Sequence, residues 1–298
     1  MVRFADNNDF DFVKKSWSVC FDDPPEFVDW NFTSNYSPAS TVIAETNGAP
    51  ASVMQLMPYV MNISDARFDT RYISGVATMP EHRGQGLVRA MFNFALPEMY
   101  KLGTLVSILV PAVSGMYEKF GYRTICERTF YSVTGTDDFE VKRTLSAKLI
   151  EILDRIYRKE MCKKSVFIDR SQNDWERILT DLLILSKGSV LLNCADNLYT
   201  GYALVYPKGD ILEATEICGD IAADKVPVSA PPVMARVINA RGVLEKLGSD
   251  KLCNFSIADD FIPQNNINPT AHKRLDISDL TEIIFKDCPN GTYINLLL

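Results

Sequence analysis

A glycine-containing turn between a strand-like run and a helix-like run is the segment of this sequence most suited to chemistry. The run over residues 75–79 leads to residues 83–86, Arg-Gly-Gln-Gly, and a helical pattern begins at Leu87. The first N–H groups of a helix lack internal partners and the helix dipole is positive there, which predicts an anion site suited to a pyrophosphate. Gly84 and Gly86 would let phosphates approach the backbone and would accept the dihedral angles of the turn.

Several kinds of glycine-containing turn connect a strand to a helix, and the spacing of their residues distinguishes them. A Gly-x-Gly turn can be a tight connection without a ligand, and the turn alone leaves that alternative open. A nucleotide-binding P-loop needs Gly-Lys-Ser or Gly-Lys-Thr, and neither follows Gly86. A dinucleotide-binding turn would have a third glycine where this sequence has Arg89. Arg83 and Arg89 add positive charge near the turn.

A cluster of acids after the first predicted helix is a second candidate for binding. Asp22, Asp23 and Glu26 could attract a cationic substrate, although the same spacing is typical of a solvated loop. His82, beside the glycine turn, is expected to be exposed and not to act as a base. The seven cysteines have no Cys-x-x-Cys pair and only two histidines accompany them, so we expect neither a metal site nor a disulfide framework.

Local patterns predict the elements that must position these groups. Asn47-Gly48 accepts the positive φ angles of a tight turn and predicts a hairpin. Apolar residues recur at helical spacing before Gly103, and Pro97 is expected to kink or shorten that helix. The predicted elements are a helix over residues 11–19, strands over 41–45, 51–57 and 72–79, a helix over 87–102, a strand over 104–110 and a short helix over 114–120.

A second unit is predicted after residue 138, beginning with an amphipathic helix that carries apolar residues from Leu145 to Ile156 on one face. A helix over residues 174–187 follows, with Asn173 and Glu176 as its predicted capping box. The next elements are strands over 190–194, 198–206 and 211–217 and, near the C-terminus, a strand over 233–238, an amphipathic stretch over 239–247, a helix over 278–285 and an apolar tail over 293–298. The prolines at 227, 231 and 232 predict a boundary between units.

Charge and hydropathy limit the partners. The chain of 298 residues has a net charge of -7, without the basic footprint of a protein that binds nucleic acid. Cationic small molecules suit that charge better. No apolar run approaches the ~20 residues that cross a bilayer, and the first residues carry acids in place of a basic stretch and apolar core. We therefore expect a cytoplasmic protein with no nucleic-acid and no membrane partner.

The glycine turn resembles the signature of the GCN5-related N-acetyltransferase (GNAT) superfamily, which is Arg or Gln, two variable residues, Gly, one variable residue, then Gly or Ala. Residues 83–88 read Arg-Gly-Gln-Gly-Leu-Val, and Val88 departs from the last small residue. The Eis-like (enhanced intracellular survival) branch is more similar, because it accepts an aliphatic residue there and continues as Arg89-Ala90. Residues 116–122, Met-Tyr-Glu-Lys-Phe-Gly-Tyr, resemble that family's Tyr-x-x-Phe-Gly-Tyr segment.

The resemblance implies acetyl-coenzyme A (acetyl-CoA) as cosubstrate, no metal, and a small-molecule primary amine as acceptor. It implies that the pantetheine arm runs along Val76, Ala77 and Thr78. The pyrophosphate would lie at the turn made by Arg83, Gly84, Gln85, Gly86, Leu87, Val88 and Arg89. Tyr117 would be the general acid, although a tyrosine can also merely pack its helix. The α-carboxylate of Leu298 would serve as base, the alternative being a terminus that is only packed or frayed.

The resemblance also implies a fold class and a division into domains. The expected fold is α/β (α+β), with the mixed sheet of an acetyltransferase flanked by helices. Residues 1–135 would form the catalytic domain, 136–228 a second acetyltransferase-like domain without a cofactor site, and 229–298 a reduced sterol-carrier-like domain. Members of the resembling family commonly assemble as trimers or hexamers. A protein that binds CoA as a sensor, or an apolar ligand, without turnover is the competing hypothesis.

Overall fold

A computed structural model describes residues 1–113, 115–134, 138–221, 224–247, 255–257, 273–275, 281–282, 284–285 and 292–293. The helices are α1 (Phe10–Cys20), α2 (Pro25–Asn35), α3 (Leu87–Lys101), α4 (Ala147–Met161), α5 (Gln172–Leu179) and α6 (Ala240–Leu247). The strands are β1 (Val2–Phe4), β2 (Thr41–Thr46), β3 (Ala49–Ile63), β4 (Ala66–Thr78), β5 (Val106–Leu109), β6 (Arg123–Thr134), β7 (Glu140–Lys142), β8 (Val166–Ile168), β9 (Ser189–Ala195), β10 (Leu198–Lys208), β11 (Ile211–Gly219), β12 (Asp224–Val237), β13 (Phe255–Ile257), β14 (Lys273–Leu275) and β15 (Thr292–Tyr293).

The chain divides into two compact units. The first contains Met1–Ile125 and Val233–Asp287, and the second contains Cys126–Pro232 and Cys288–Leu298. The predicted division into three domains stays a prediction.

The first unit contains a mixed sheet. Its strands β1, β2, β3 and β4 are antiparallel neighbours, β4 and β5 run parallel, and the end of β12 pairs antiparallel with β5. Asn47 and Gly48 have φ angles of 54° and 78°, which confirms the predicted hairpin turn. Met54 and Leu56 of β3 are buried in the same cluster as Met91 and Phe92 of α3, so helix and sheet share one core.

Helix α3 continues past Pro97, which was expected to kink or shorten it. The helix ends at Lys101, and Leu96 and Met99 on either side of the proline are buried in the core. Packing of these apolar side chains offsets the one backbone donor that proline lacks. The predicted helix over 114–120 is instead a turn ending in a 3₁₀ helix, Glu118–Phe120; residue 114 lies outside the described residues.

The second unit has an antiparallel sheet in which β6, β11, β10, β9 and β7 are successive neighbours. A parallel pair joins β15 to β8. The apolar face of α4 is buried as predicted, and it packs in a cluster with Trp175 of α5 and Tyr202 of β10. Arg170 and Glu216 form a buried ion pair here, and the Tyr202 hydroxyl donates to the same carboxylate.

One local prediction for the second half of the chain was wrong: the capping box of α5 is formed by Ser171 and Asp174, not by Asn173 and Glu176. The boundary predicted at the three prolines coincides with the division between the two units after Pro232, although β12 runs through residues 224–237. Proline is tolerated in a strand where its missing N–H is not needed for pairing. The predicted helix over 278–285 is helical at its described residues, and residues 294–298 of the predicted tail lie outside them.

Candidate functional site

Strands β4 and β5 stop pairing part-way along β4. Their parallel register joins residues Thr70 to Ile73 with Val106 to Leu109, and β5 ends at Leu109. Strand β4 continues to Thr78, and its other edge stays paired with β3. In the part of the chain that the structure describes, no strand pairs with the β5-side edge of β4 beyond Ile73. The backbone of residues 74–78 is therefore available on that side to an extended ligand.

A bulge in β4 accompanies this separation. Ser74 pairs with Gln55 and Ala77 pairs with Val53, so Gly75 and Val76 together lie opposite Met54. Gly75 has a φ of 57°, in the left-handed region. A bulge with a left-handed glycine bends its strand and increases the local twist, which accounts for the divergence of β4 from β5. No pattern in the sequence predicted this bulge.

The glycine turn lies between the end of β4 and the start of α3. Gly84 and Gly86 have φ angles of 76° and 78°, and both are exposed. A Cβ added at either glycine would meet no atom of the described residues within 4 Å. The positive φ angles therefore favour glycine here, and open space remains in front of the turn for a ligand.

The backbone amides at the start of α3 are free. Gly86 is the N-cap and offers no side chain, and the first helical bond runs from the Ala90 N–H to the Gly86 carbonyl at 3.0 Å. The N–H groups of Leu87, Val88 and Arg89 find no acceptor among the described residues. These donors and the positive end of the helix dipole form an anion site.

Arg83 connects the glycine turn to the end of β4. Its Nε donates to the Thr78 carbonyl at 3.2 Å, and one terminal nitrogen lies 3.9 Å from the Cys20 sulfur at the end of α1. The side chain is exposed, as is that of Arg89. The structure thus places the predicted cofactor residues 76–78 and 83–89 along one path, from the free edge of β4 to the start of α3.

Tyr117 is buried beside that path. Only 5% of the residue is exposed, and its ring packs edge-on against Phe92 and Tyr122 at centroid distances of 5.9 Å and 6.4 Å. Val76 and Leu87 pack against the same apolar cluster. Burial raises the pKa of the Tyr117 hydroxyl above its usual value, and the hydroxyl forms no hydrogen bond with a residue that the structure describes. It is therefore a neutral O–H donor.

Two polar contacts hold the segment that follows Tyr117. The Tyr122 hydroxyl donates to Ser107 Oγ at 2.7 Å, and Ser107 Oγ donates to the Arg71 carbonyl at 3.1 Å. The guanidinium of Arg236, on β12, donates to the Phe120 carbonyl. Tyr122 is thus a buried packing residue. Arg236 and Ser107 were not among the predicted site residues, because their contacts join strands that are far apart in the sequence.

In the predicted acidic cluster, Asp22 and Asp23 lie between α1 and α2, Glu26 lies in the first turn of α2, and all three are exposed. Asp23 accepts a hydrogen bond from Trp17 Nε1 at 2.8 Å. A Cβ added at Gly75 would lie 2.6 Å from the Trp17 ring, so this ring packs directly on the bulge of β4. The cluster is therefore connected through Trp17 to the strand with the free edge. His82 is half-buried, and Leu298 lies outside the described residues.

The described residues lack both a metal-binding cluster and a membrane-spanning helix. They contain no group of three or more His, Cys, Asp or Glu side chains placed to hold a metal ion. None of the helices in the described part of the chain has both the length and the apolar character needed to span a membrane.

Comparison with known proteins agrees with this geometry. Residues 1–125 match the family of acetyltransferase (GNAT) domains. A GCN5-related N-acetyltransferase from Anabaena variabilis has 15% identity and a TM-score of 0.73, with 95% of this chain and 89% of that chain covered. A conserved protein from Enterococcus faecalis described as a probable N-acyltransferase has 17% identity, a TM-score of 0.71, and 95% and 88% coverage.

Eis1 from Mycobacterium abscessus is also similar, with 12% identity, a TM-score of 0.65, and coverage of 96% of this chain and 89% of that one. No protein with a curated description matches the sequence. Residues 1–125 are thus similar to GNAT acetyltransferase domains. The mixed α/β architecture is the fold of N-acetyltransferases, as the sequence predicted.

Proposed function

We propose that the protein transfers an acetyl group from acetyl-CoA to a primary amine by direct attack in a ternary complex. The single observation that carries the proposal is the continuous path from the unpaired edge of β4 to the free amides of Leu87, Val88 and Arg89. A molecule with a peptide-like arm and a pyrophosphate fits both ends of that path. The match of residues 1–125 to GNAT domains supports the same cosubstrate.

Each part of acetyl-CoA has a defined place in this proposal. The pyrophosphate accepts hydrogen bonds from the amides of residues 84–89, with Arg83 and Arg89 nearby. The pantetheine amides pair with the β4 backbone at Val76, Ala77 and Thr78. The N–H groups at Val76 and Ala77 polarise the thioester carbonyl and stabilise the oxyanion that forms on attack.

The reaction forms one C–N bond and breaks one C–S bond. The amine lone pair attacks the thioester carbon, the carbonyl oxygen becomes an oxyanion, and its collapse releases the CoA thiolate. Tyr117 donates its proton to the thiolate, and solvent later restores that proton. A tyrosine of pKa ~10 is a weaker acid than a thiol of pKa ~8.5, so this transfer is late or concerted with C–S cleavage.

The attacking amine must also lose a proton, and we propose the α-carboxylate of Leu298 as its acceptor. The support is the resemblance to the Eis-like branch and the apolar character of residues 296–298, Leu-Leu-Leu. A carboxylate of pKa ~3.5 is a weak base, so it binds the ammonium form and receives its proton through water. Asp22, Asp23 and Glu26 attract the cationic acceptor toward the Trp17 side of β4.

Extending the C-terminus by two glycines is expected to impair acetyl transfer by about 10-fold or more while the melting temperature changes little. The extension moves the terminal charge and adds atoms at its place. Leu298→Ala is the matched control, because it alters the side chain and keeps the α-carboxylate. Steady-state thiol release and thermal unfolding measure both effects. Equal turnover in the extended variant would return the base role to Asp22, Asp23, Glu26 or solvent.

We further propose that the protein belongs to the Eis-like branch. The whole-chain similarity in fold to Eis1 from Mycobacterium abscessus supports this assignment. It entails a second acetyltransferase-like domain without a cofactor site, a reduced sterol-carrier-like C-terminal domain, a cytoplasmic location and assembly as a trimer or hexamer. Aminoglycosides, polyamines and lysine side chains are the acceptor classes to test.

Two measurements on the wild-type protein test the proposed function. Calorimetry is expected to show acetyl-CoA binding, and a screen of the three acceptor classes is expected to show amine-dependent release of free thiol. Tight binding without thiol release for any amine would contradict the transferase and identify a CoA-binding sensor. No binding of acetyl-CoA would remove the cofactor assignment itself.

A further inference from the structure

Gln55 is a mostly buried residue whose carboxamide has no hydrogen-bond partner among the described residues. It lies on β3, and only 6% of the residue is exposed. Neither polar atom of the carboxamide is completely enclosed, so a small polar ligand can reach both. The strand itself does not need this side chain, because Gln55 and Ser74 pair through their backbones.

The carboxamide points to the bulge of β4. A Cβ added at Gly75 would lie 3.1 Å from Gln55 Oε1 and 2.6 Å from the Trp17 ring. Val76 packs in the cluster on the α3 side of the sheet, together with Tyr117. The opposite face of the sheet therefore carries Gln55, Gly75 and Trp17. Gly75 directly precedes Val76 and Ala77, whose N–H groups are proposed to bind the thioester carbonyl.

The other groups around the bulge limit what can satisfy the carboxamide. Trp17 Nε1 is already occupied by Asp23, so the indole offers only its ring face. Gly75 has no side chain. A ligand at this point must supply its own N–H or O–H donors, and an alkylammonium would also be attracted to an aromatic face. A primary amine has both properties.

We infer that Gln55 binds the amine substrate: its carboxamide oxygen accepts a hydrogen bond from the primary amine that attacks the thioester. The inference rests on the proposed function and adds the place of the amine, on the face of β4 opposite Tyr117. An uncharged amide oxygen can accept a hydrogen bond from both the ammonium form and the free amine. It therefore holds the nitrogen in position before and after deprotonation and leaves the lone pair directed at the thioester carbon.

Gln55→Met separates this role from a structural one. Methionine has a similar length and no hydrogen bond to offer, so kcat/KM for the amine is expected to fall roughly 10-fold or more. The dissociation constant for acetyl-CoA should stay unchanged. The melting temperature should not fall, because the carboxamide makes no hydrogen bond to the described residues that the variant would lose. Gln172→Met, at an exposed glutamine of α5, is the control and should change neither kinetic constant.

A second variant tests for rescue. Gln55→Glu keeps an accepting oxygen at the same place, so its kcat/KM for the amine should exceed that of Gln55→Met by about 10-fold. A kcat/KM in Gln55→Met equal to that of the wild type would overturn the inference while leaving the transferase intact. A lower melting temperature or failure to fold would show that the fold itself uses the carboxamide, which would also overturn it. Absence of thiol release in the wild type would instead contradict the proposed function.

Discussion

Gly86→Asp is expected to abolish measurable binding of acetyl-CoA while the protein stays folded. Gly86 has a φ of 78° and is the N-cap of α3, and nothing lies within 4 Å of the position its Cβ would take. Aspartate is among the few residues that tolerate both a positive φ and an N-cap position. Its carboxylate would accept hydrogen bonds from the amides of α3 and would place a negative charge where the pyrophosphate must bind.

The matched control for this variant is Gly48→Asp. Gly48 also has a φ of 78° and open space around its Cβ position, but it lies in the β2–β3 hairpin. Both variants carry the same strain and the same added charge, so a difference in affinity reports the location alone. Calorimetric titration with acetyl-CoA, with circular dichroism as the test of folding, decides the outcome. A folded Gly86→Asp protein with wild-type affinity would show that the turn is only a tight connection.

The sequence predicted the turns because their causes are local. Asn47-Gly48 adopts positive φ angles between two strands, as dipeptides of this type do in tight hairpins. The glycine turn was predictable for the same reason, since Gly84 and Gly86 act through their own dihedral angles. These features need no knowledge of distant residues.

Features that depend on strand neighbours were not predicted. The prolines at 227, 231 and 232 predicted the boundary that lies after Pro232, but not the strand pairing that carries β12 through them. The bulge at Gly75 depends on its register with β3. The contact of Arg236 with Phe120 spans 116 residues of sequence. Periodicity along one segment contains no information on such pairings, because each is fixed by a second segment.

Tyr117→Phe is expected to lower turnover by about 10²-fold or more, with the affinity for acetyl-CoA retained. The substitution keeps the ring that packs on Phe92 and removes only the hydroxyl. Because that hydroxyl has no hydrogen-bond partner among the described residues, its removal should leave the melting temperature nearly unchanged. Loss of catalysis without loss of stability is the signature of a proton donor.

Tyr122→Phe is the matched control, for which the opposite result is expected. It removes a hydroxyl that donates to Ser107 Oγ at 2.7 Å inside the same cluster, so it should cost about 1 kcal/mol of stability and leave turnover nearly intact. If Tyr117 is the acid, thiol release should fall only in Tyr117→Phe, and the melting temperature should fall only in Tyr122→Phe. Equal turnover in Tyr117→Phe would reduce Tyr117 to a packing residue.

The pH profile provides an independent test of the same assignment. Burial raises the pKa of Tyr117, so its proton is held at neutral pH and is lost only above the ordinary tyrosine value of ~10. Turnover of the wild type should therefore show no decline caused by Tyr117 below that pH, and a decline above it that Tyr117→Phe lacks. Because raising the pH also frees the amine, rates must be compared at saturating acceptor. A high-pH decline that persists unchanged in Tyr117→Phe would assign it to another group.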